Sequence, residues 1–417
     1  MTSFGRVAAR IDEARLWDRH EALARAGATA RGGVDRQALS DEEIAAKRIL
    51  LGWAGAAGLE AATDPIGNFF LRLPGREPAL PPVLTGSHID SQPTGGKYDG
   101  VYGVLAGLEV VEAMRAEGIR PRRTVEIVAW TNEEGSRFAP GMMGSEAFAG
   151  VRPLDAILPV ADAAGVRVEA ELARLFAAFP EMAVRPLGFP VAAYVEAHIE
   201  QGPELEAAGR QVGVVTGIQG KKTWKVAVHG EEAHAGTTPR RRRKDALAAA
   251  AAMIAAMHGA IVDADDVVRF TVGRIAVEPN APSVVPATAV FSIDLRHPDG
   301  ATLDRFGATV ERLCADHAGP CTVAVTPLVD AAPLIFPAAM QEIVRTTAER
   351  LGLSPMALPS AAGHDARNLH IICPSGMIFV PCAGGISHNE AEATLPADLA
   401  AGARVLAEVL VQLAERA

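Results

Sequence analysis

A strand, a glycine-rich turn and a helix follow one another over residues 82–111, and they constrain the fold more than any other feature. The strand is short and apolar, and apolar residues recur at helical spacing over residues 101–111. His88 and Asp90 stand two positions apart, the spacing of side chains on one face of a strand. Asp99 comes just before the helix. Because open α/β sheets bind ligands where strands end and helices begin, this stretch predicts an α/β sheet with a site at its edge.

The same stretch has an ordinary structural interpretation. A lone histidine near a strand end is often a hydrogen-bonded loop residue, and an aspartate before a helix is a common N-cap. Short motifs of this kind match by chance. A metal site therefore needs further ligands elsewhere in the chain.

Chain length and net charge limit the number of domains and the kinds of partner to be expected. With 417 residues the chain exceeds one typical hydrophobic core, which predicts two domains. A formal net charge of -10 argues against nucleic acid or an anionic membrane as partner. The one strong basic run, Arg240–Lys244, is interpreted as a solvated surface or a dimer contact.

Cysteine usage and hydropathy indicate the compartment. The cysteines at 314, 321, 373 and 382 form no C-x-x-C pair, as expected of free thiols in a reducing compartment. We find neither a signal peptide nor a run of about twenty apolar residues. The sequence therefore predicts a cytoplasmic protein without a membrane partner.

The order of elements predicts an insertion. Residues 216–330 read as β-α-β-β-α-β, the order of a ferredoxin-like domain. Residues 1–215 and 331–417 share a different pattern, in which apolar strands are followed by polar loops. This pattern predicts a mixed sheet flanked by helices. Residues 152–185 look helical and alanine-rich.

More polar residues follow the other predicted strands of residues 1–215 and 331–417. Glu133 and Glu134 leave the buried strand 124–130, where two adjacent carboxylates repel unless a positive charge lies beside them. His198 lies near the end of an alternating strand, and His388 follows the last one. Added to the first stretch, these histidines and carboxylates suit two borderline divalent ions bridged by one carboxylate.

In this order the motifs resemble a known family. G-S-H-I-D, G-K-Y-D-G, N-E-E-G, E-A-H-I-E-Q-G, E-A-H-A-G-T-T-P and I-S-H-N-E occur in sequence along the chain. They are similar to the hydantoinase/carbamoylase branch of the metal-dependent aminoacylase/carboxypeptidase-like superfamily. That branch contains N-carbamoyl-L-amino acid hydrolases, allantoate amidohydrolases and β-ureidopropionases.

The resemblance implies a di-metal catalytic domain and a role for each matching residue. His88 and His388 would be terminal ligands of different ions, together with Glu134 and His198, and Asp99 would bridge the ions. Glu133 would be the general base, and Asp90 would orient the His88 ring. The ions would be Zn²⁺, or Mn²⁺, Co²⁺ or Ni²⁺.

The resemblance also implies a lid and dimerisation domain at 216–330. From it, His234 would stabilise the oxyanion in the partner subunit's site, so that the enzyme would be a homodimer. Arg296 would bind the carboxylate of a small-molecule substrate. The remaining substrate-binding positions would be Gln201, Asn280, Gly363 and His364.

Three functions remain open. The first is hydrolysis of an N-carbamoyl amino acid, or of a related ureido compound, to amino acid, ammonia and carbon dioxide. The second is an aminoacylase or dipeptidase of the same fold. The third is a metal-free binding or scaffolding relative, against which the intact ligand and base positions argue.

Overall fold

The computed structural model describes residues 4–416. The strands are β1 (Glu60–Thr63), β2 (Phe69–Leu73), β3 (Val83–His88), β4 (Val125–Trp130), β5 (Ala183–Val184), β6 (Ala193–Ile199), β7 (Gly213–Ile218), β8 (Gly220–His229), β9 (Ala233–His234), β10 (Arg269–Glu278), β11 (Val284–Val285), β12 (Thr288–His297), β13 (Thr322–Ala331), β14 (Leu334–Ile335), β15 (Met356–Ser360) and β16 (Ser375–Val380).

The α-helices are α1 (Glu13–Leu23), α2 (Asp41–Ala56), α3 (Val101–Ala116), α4 (Met143–Ala149), α5 (Leu154–Ile157), α6 (Val168–Ala178), α7 (Glu204–Ala207), α8 (Ala246–Ala260), α9 (Gly300–Asp316), α10 (Ala338–Arg350), α11 (Ala366–Leu369) and α12 (Pro396–Ala414). Among the residues described, none of these helices has both the length and the apolarity to cross a bilayer.

The chain forms two compact units. The first comprises the residues up to Thr216 and those from Phe336 onward, and the second is Gly217–Ile335. The first unit is built on a mixed sheet of order β7-β16-β6-β3-β4-β2-β1-β5, with β15 beside β7. The predicted mixed sheet flanked by helices is thus confirmed.

The centre of this sheet is parallel. β16 pairs parallel with β6, β6 with β3, and β3 with β4, whereas β2 and β7 join antiparallel. Every residue of the four parallel strands is buried, as expected when helices cover both faces of a sheet. Helix α3 packs against β3 and α12, and α12 packs against β16.

The second unit has the order β8-α8-β10-β12-α9-β13. Its antiparallel sheet has strand order β10-β12-β8-β13, so the elements follow the β-α-β-β-α-β pattern read from the sequence. Residues of α8 and α9 share a core with the apolar side chains of β8 and β12. The chain enters and leaves this unit side by side, since Leu334 pairs with Ile218 and Ile335 with Gly217.

One local prediction is wrong. The range 152–185 is not a continuous helix but contains the short helices α5 and α6, separated by a turn. In that turn Asp162 accepts hydrogen bonds from the N–H groups of Ala164 and Val166, and Gly165 has φ +83°. A short acidic side chain that bonds nearby backbone offers the chain an alternative to helix.

His20, on α1, is a buried histidine whose surroundings disfavour its charged form. His20 packs against the rings of Tyr98 and Tyr102, with centroid separations of 5.5 and 6.2 Å. Its Nδ1 donates to the carbonyl of Leu16 at 2.8 Å, and its buried Nε2 has no partner among the described residues. Burial therefore lowers the pKa of His20 to about 4.

We expect the unfolded chain, in which a histidine has a pKa near 6.5, to take up a proton that the folded chain does not bind. Stability is then lost as the pH falls from about 6.5 towards 4. Between pH 7 and pH 5 the wild-type protein should lose about 2 kcal/mol more than His20→Phe. Urea unfolding of both proteins at both pH values measures this difference, and equal losses would contradict it.

Candidate active site

Four strand exits bring polar side chains to one edge of the large sheet. Because β3, β4, β6 and β16 run parallel, their carboxyl ends meet at the same edge. His88 ends β3, Glu133 and Glu134 follow β4, His198 lies at the end of β6, and His388 follows β16. The structure therefore brings together the residues that the sequence analysis selected as ligands and base.

His88, Asp99 and His198 form the first set of donors, called here the His198 group. Their ligand atoms lie within 4.8 Å of one another. Asp99 Oδ1 is 3.7 Å from His88 Nε2 and 3.2 Å from His198 Nε2. All three side chains are buried.

Asp99, Glu134 and His388 form the second set, called here the His388 group, again within 4.8 Å. His388 Nε2 is 3.3 Å from Asp99 Oδ2 and 3.2 Å from Glu134 Oε2. Asp99 thus turns one oxygen towards each group, which is the arrangement of a bridging carboxylate.

The ring orientations fit a divalent ion. Nδ1 of His88 donates to the backbone carbonyl of Asp90 at 3.0 Å, and Nδ1 of His198 donates to that of Ile199 at 2.8 Å. These bonds direct both Nε2 atoms towards Asp99. Metal-binding histidines are commonly held in this way, with the second ring nitrogen donating to a carbonyl or carboxylate.

The charges fit a cation as well. Burial and the negative charge of Asp99 raise the pKa of Glu134 to about 8. Burial lowers the pKa of His198, but the hydrogen bond to Asp99 and the negative charges of Asp99 and Glu196 together outweigh burial and raise the pKa to about 9. A divalent ion would replace such protons, because ligands bind metal in their deprotonated forms.

Glu133 lies beside both groups and belongs to neither. Its Oε2 is 3.6 Å from His88 Nε2. Burial, followed by the negative charges of Asp365 and Glu134, raises the pKa of Glu133 well above that of a free glutamate. A raised pKa increases the affinity of a carboxylate for a proton, and a general base works best when its pKa lies near the operating pH.

A glycine is required between these residues. Gly100 has φ +66°, and a Cβ placed on it would lie 2.3 Å from His88 Nε2. Its amide nitrogen lies 3.1 Å from His198 Nε2. Only glycine lets the chain pass this close to both rings.

Asp90, which was predicted to orient the His88 ring, contacts that ring through its main-chain oxygen. β3 ends at His88, and the ring is bonded by the main-chain oxygen of Asp90. The Asp90 carboxylate is 3.6 Å from the ring and instead accepts the N–H groups of Glu133 and Glu134 at 3.3 and 3.2 Å. It therefore holds the loop that carries the base.

Two predicted substrate-binding residues of the first unit already have protein partners. Gln201 donates from Nε2 to Asp99 Oδ2 at 2.8 Å. The His364 ring is 2 % exposed, packs edge-on against His198 and bonds Ser360 Oγ at 2.9 Å. Both support the donor residues directly, while the neighbouring Gly363 is exposed.

The other three predicted residues lie in the second unit. His234, in β9, accepts the N–H groups of Gly236 and Thr237 at Nδ1, which leaves the Nε2 proton of this exposed side chain available to donate. Asn280 is exposed and has φ +55°. Arg296 directs its guanidinium at Asp294, with Nε to Oδ1 at 2.8 Å.

The sequence analysis missed three residues that hold the ligands. Gln92 donates to Glu134 Oε2 at 2.8 Å, and Ser387 bonds Asp99 Oδ2 at 3.2 Å. Glu392 accepts the N–H groups of Tyr98 and Asp99. All three residues stand close in sequence to the ligand motifs, and this closeness could have indicated them. It does not, however, distinguish Glu392 from Glu390, two positions earlier.

The chain is similar over most of its length to known proteins. The model of the family described as Peptidase family M20/M25/M40 matches residues 84–412. An N-carbamoyl-L-amino-acid amidohydrolase of Rhizobium meliloti is 40% identical, covering 97% of both chains. An allantoate amidohydrolase of Bacillus subtilis (strain 168) is 35% identical, over 96% of this chain and 97% of its own.

A solved structure is similar along its whole length. It is an amidase of the hydantoinase/carbamoylase family from Burkholderia multivorans, with 42% identity and a TM-score of 0.89. The alignment covers 98% of this chain and 99% of that one. The resemblance that the motifs indicated is therefore confirmed.

Proposed function

This chain belongs to the peptidase family M20/M25/M40, and two of its relatives are named as amidohydrolases. We propose that it hydrolyses N-carbamoyl-L-amino acids. The observation that carries the proposal is the full-length similarity, at 40% identity, to an enzyme named for that reaction. The His198 and His388 groups would each hold one divalent ion, with Asp99 between them.

The two bound ions and Glu133 would have different roles in the hydrolysis. Two bound ions would lower the pKa of water and offset negative charge on the reacting carbonyl oxygen. Glu133 takes the proton of the attacking water and returns it to the departing amino nitrogen. The C–N bond to the amino acid breaks, and the released carbamic acid decomposes to ammonia and carbon dioxide.

Binding of the substrate carboxylate is proposed for Arg296, because a guanidinium fork matches a carboxylate with two hydrogen bonds. Asp294 occupies that fork in the structure, so the substrate carboxylate would displace it. Asn280 would add a polar contact, and His234 would donate from Nε2 to the oxyanion.

A substrate panel tests the proposal. The protein is incubated with Mn²⁺, Co²⁺, Ni²⁺ or Zn²⁺ and offered N-carbamoyl-L-amino acids, N-carbamoyl-β-alanine, allantoate, N-acetyl amino acids and dipeptides. We expect the highest kcat/KM with an N-carbamoyl-L-amino acid, and release of ammonia. The similarity to an allantoate amidohydrolase makes allantoate the second candidate, and turnover of acyl or peptide substrates alone would reject the proposal.

The compartment and assembly belong to the same proposal. The four cysteines are free thiols, which agrees with a reducing, cytoplasmic location. We propose a homodimer formed through the second unit, in which His234 serves the partner's site.

A complementation experiment tests this arrangement. His234→Ala and Glu133→Gln are each expected to be inactive, yet a mixture allowed to exchange subunits should regain part of the activity. One site of the mixed dimer would carry both defects and the other neither. If exchange is verified by mass and no activity returns, His234 serves its own chain or has no catalytic role.

A further inference from the structure

We propose that Glu392 is a positioning residue that sets the affinity of the His388 group for its ion. The inference rests on the proposed function, because it assumes that the two groups bind metal. It adds a residue outside both groups and assigns it to one of them.

Glu392 holds the backbone that carries Asp99. Its side chain is buried, with 5 % of the residue exposed. Oε1 accepts the N–H of Tyr98 at 3.0 Å and the N–H of Asp99 at 3.1 Å. Because two neighbouring N–H groups donate to this one oxygen, the Glu392 side chain fixes the direction in which the Asp99 side chain leaves the backbone.

The other oxygen of Glu392 holds the loop that carries His388. Oε2 accepts the hydroxyl of Ser387 at 2.9 Å, and the same hydroxyl lies 3.2 Å from Asp99 Oδ2. Ser387 directly precedes His388 in the chain. A single carboxylate thus joins two loops that lie almost three hundred residues apart in sequence, and each supplies one ligand to the His388 group.

Gly96, in the loop that leads to Asp99, leaves room for the Glu392 side chain. A Cβ placed on Gly96 would lie 2.0 Å from the Glu392 carboxyl carbon. No side chain fits there while Glu392 keeps its position. Glycine at 96 is therefore explained by the close approach of the carboxylate.

The His388 group depends on Glu392 more than the His198 group does. His88 and His198 are buried on strands β3 and β6, whose positions the sheet determines. His388 lies on a loop, and 51% of its side chain is exposed. Ordering a loop ligand costs conformational entropy when the ion binds, and the bonds of Glu392 remove part of that cost beforehand.

Metal titration tests the proposal. Glu392→Ala and Glu392→Gln are stripped of metal and titrated with Co²⁺, followed by competition with a chromophoric chelator and by the visible absorption of each bound ion. In Glu392→Ala we expect the affinity of one of the two sites to fall about 10- to 100-fold, with the other changed by much less. Glu392→Gln should recover part of the loss, because its amide oxygen can still accept the two N–H groups.

Two controls separate positioning from general stability. Glu408→Ala removes a buried carboxylate of α12 that accepts the N–H of Ala8, and Glu390→Ala changes the same turn at a residue bonded to Thr29 and Arg31. Both should keep two sites of wild-type affinity.

The outcomes are distinct. If wild-type protein binds no pair of ions, the proposed function fails. If wild type binds two and Glu392→Ala binds two with unchanged affinities, the role of Glu392 is rejected while the proposed function stands. Equal weakening of both sites, matched by Glu408→Ala, would also reject it, since it would report only loss of stability.

Discussion

Replacing Glu133 by glutamine is expected to lower kcat by about 100-fold or more while leaving the metal content unchanged. The side chain lies outside both donor groups, yet its Oε2 is 3.6 Å from a proposed ligand atom, His88 Nε2. Glutamine keeps the size of the side chain and removes the basic oxygen. Steady-state kinetics and metal analysis of the same preparation measure the two effects together.

Glu134→Gln is the matched control, because the change is the same and the residue is adjacent. Glu134 Oε2 faces His388 Nε2 at 3.2 Å, so this variant should lose affinity for the ion of the His388 group. A Glu133→Gln protein that keeps its rate but loses its metal would show that the two roles are assigned in reverse.

Replacing Asp99 by alanine should remove both ions and abolish turnover. Asp99 is the one residue common to the two groups, with Oδ1 towards His198 and Oδ2 towards His388. Its loss leaves each group with two ligands, fewer than the three protein ligands of a typical catalytic zinc site. Metal analysis after dialysis measures the loss, and circular dichroism confirms that the variant is folded.

His388→Ala gives the contrasting result. It leaves the His198 group complete, so we expect one ion to remain bound. Retention of both ions by Asp99→Ala would show that Asp99 is no bridge, and the di-metal arrangement would have to be abandoned.

Much of the site follows from local sequence patterns. Buried strands are recognisable from continuous apolar runs, and the polar residues placed directly after them mark the strand exits. His88, Glu133 and His198 were selected on this basis. The parallel arrangement then brings them together without further information, because the carboxyl ends of parallel strands share one edge.

The elements of the second unit occur in the order that was read from the sequence. The switch between period-two and helical patterns over 216–330 corresponds to the elements β8 to β13, which span Gly220–Ala331. The pattern failed over 152–185. In that range the Asp162 side chain accepts hydrogen bonds from nearby backbone N–H groups, and these bonds replace the backbone bonds of a helix. A sum of helix propensities over a window does not detect such a turn.

The sequence by itself therefore determined which residues stand at the edge of the sheet, but only the tertiary structure decided what each side chain bonds. The Asp90 carboxylate holds the Glu133–Glu134 loop and leaves the His88 ring to a backbone oxygen. Glu392 bonds backbone groups almost three hundred positions away. The physical reason is that burial and hydrogen-bond partners depend on how loops pack in space, whereas periodicity reports only the direction of a side chain along its own element.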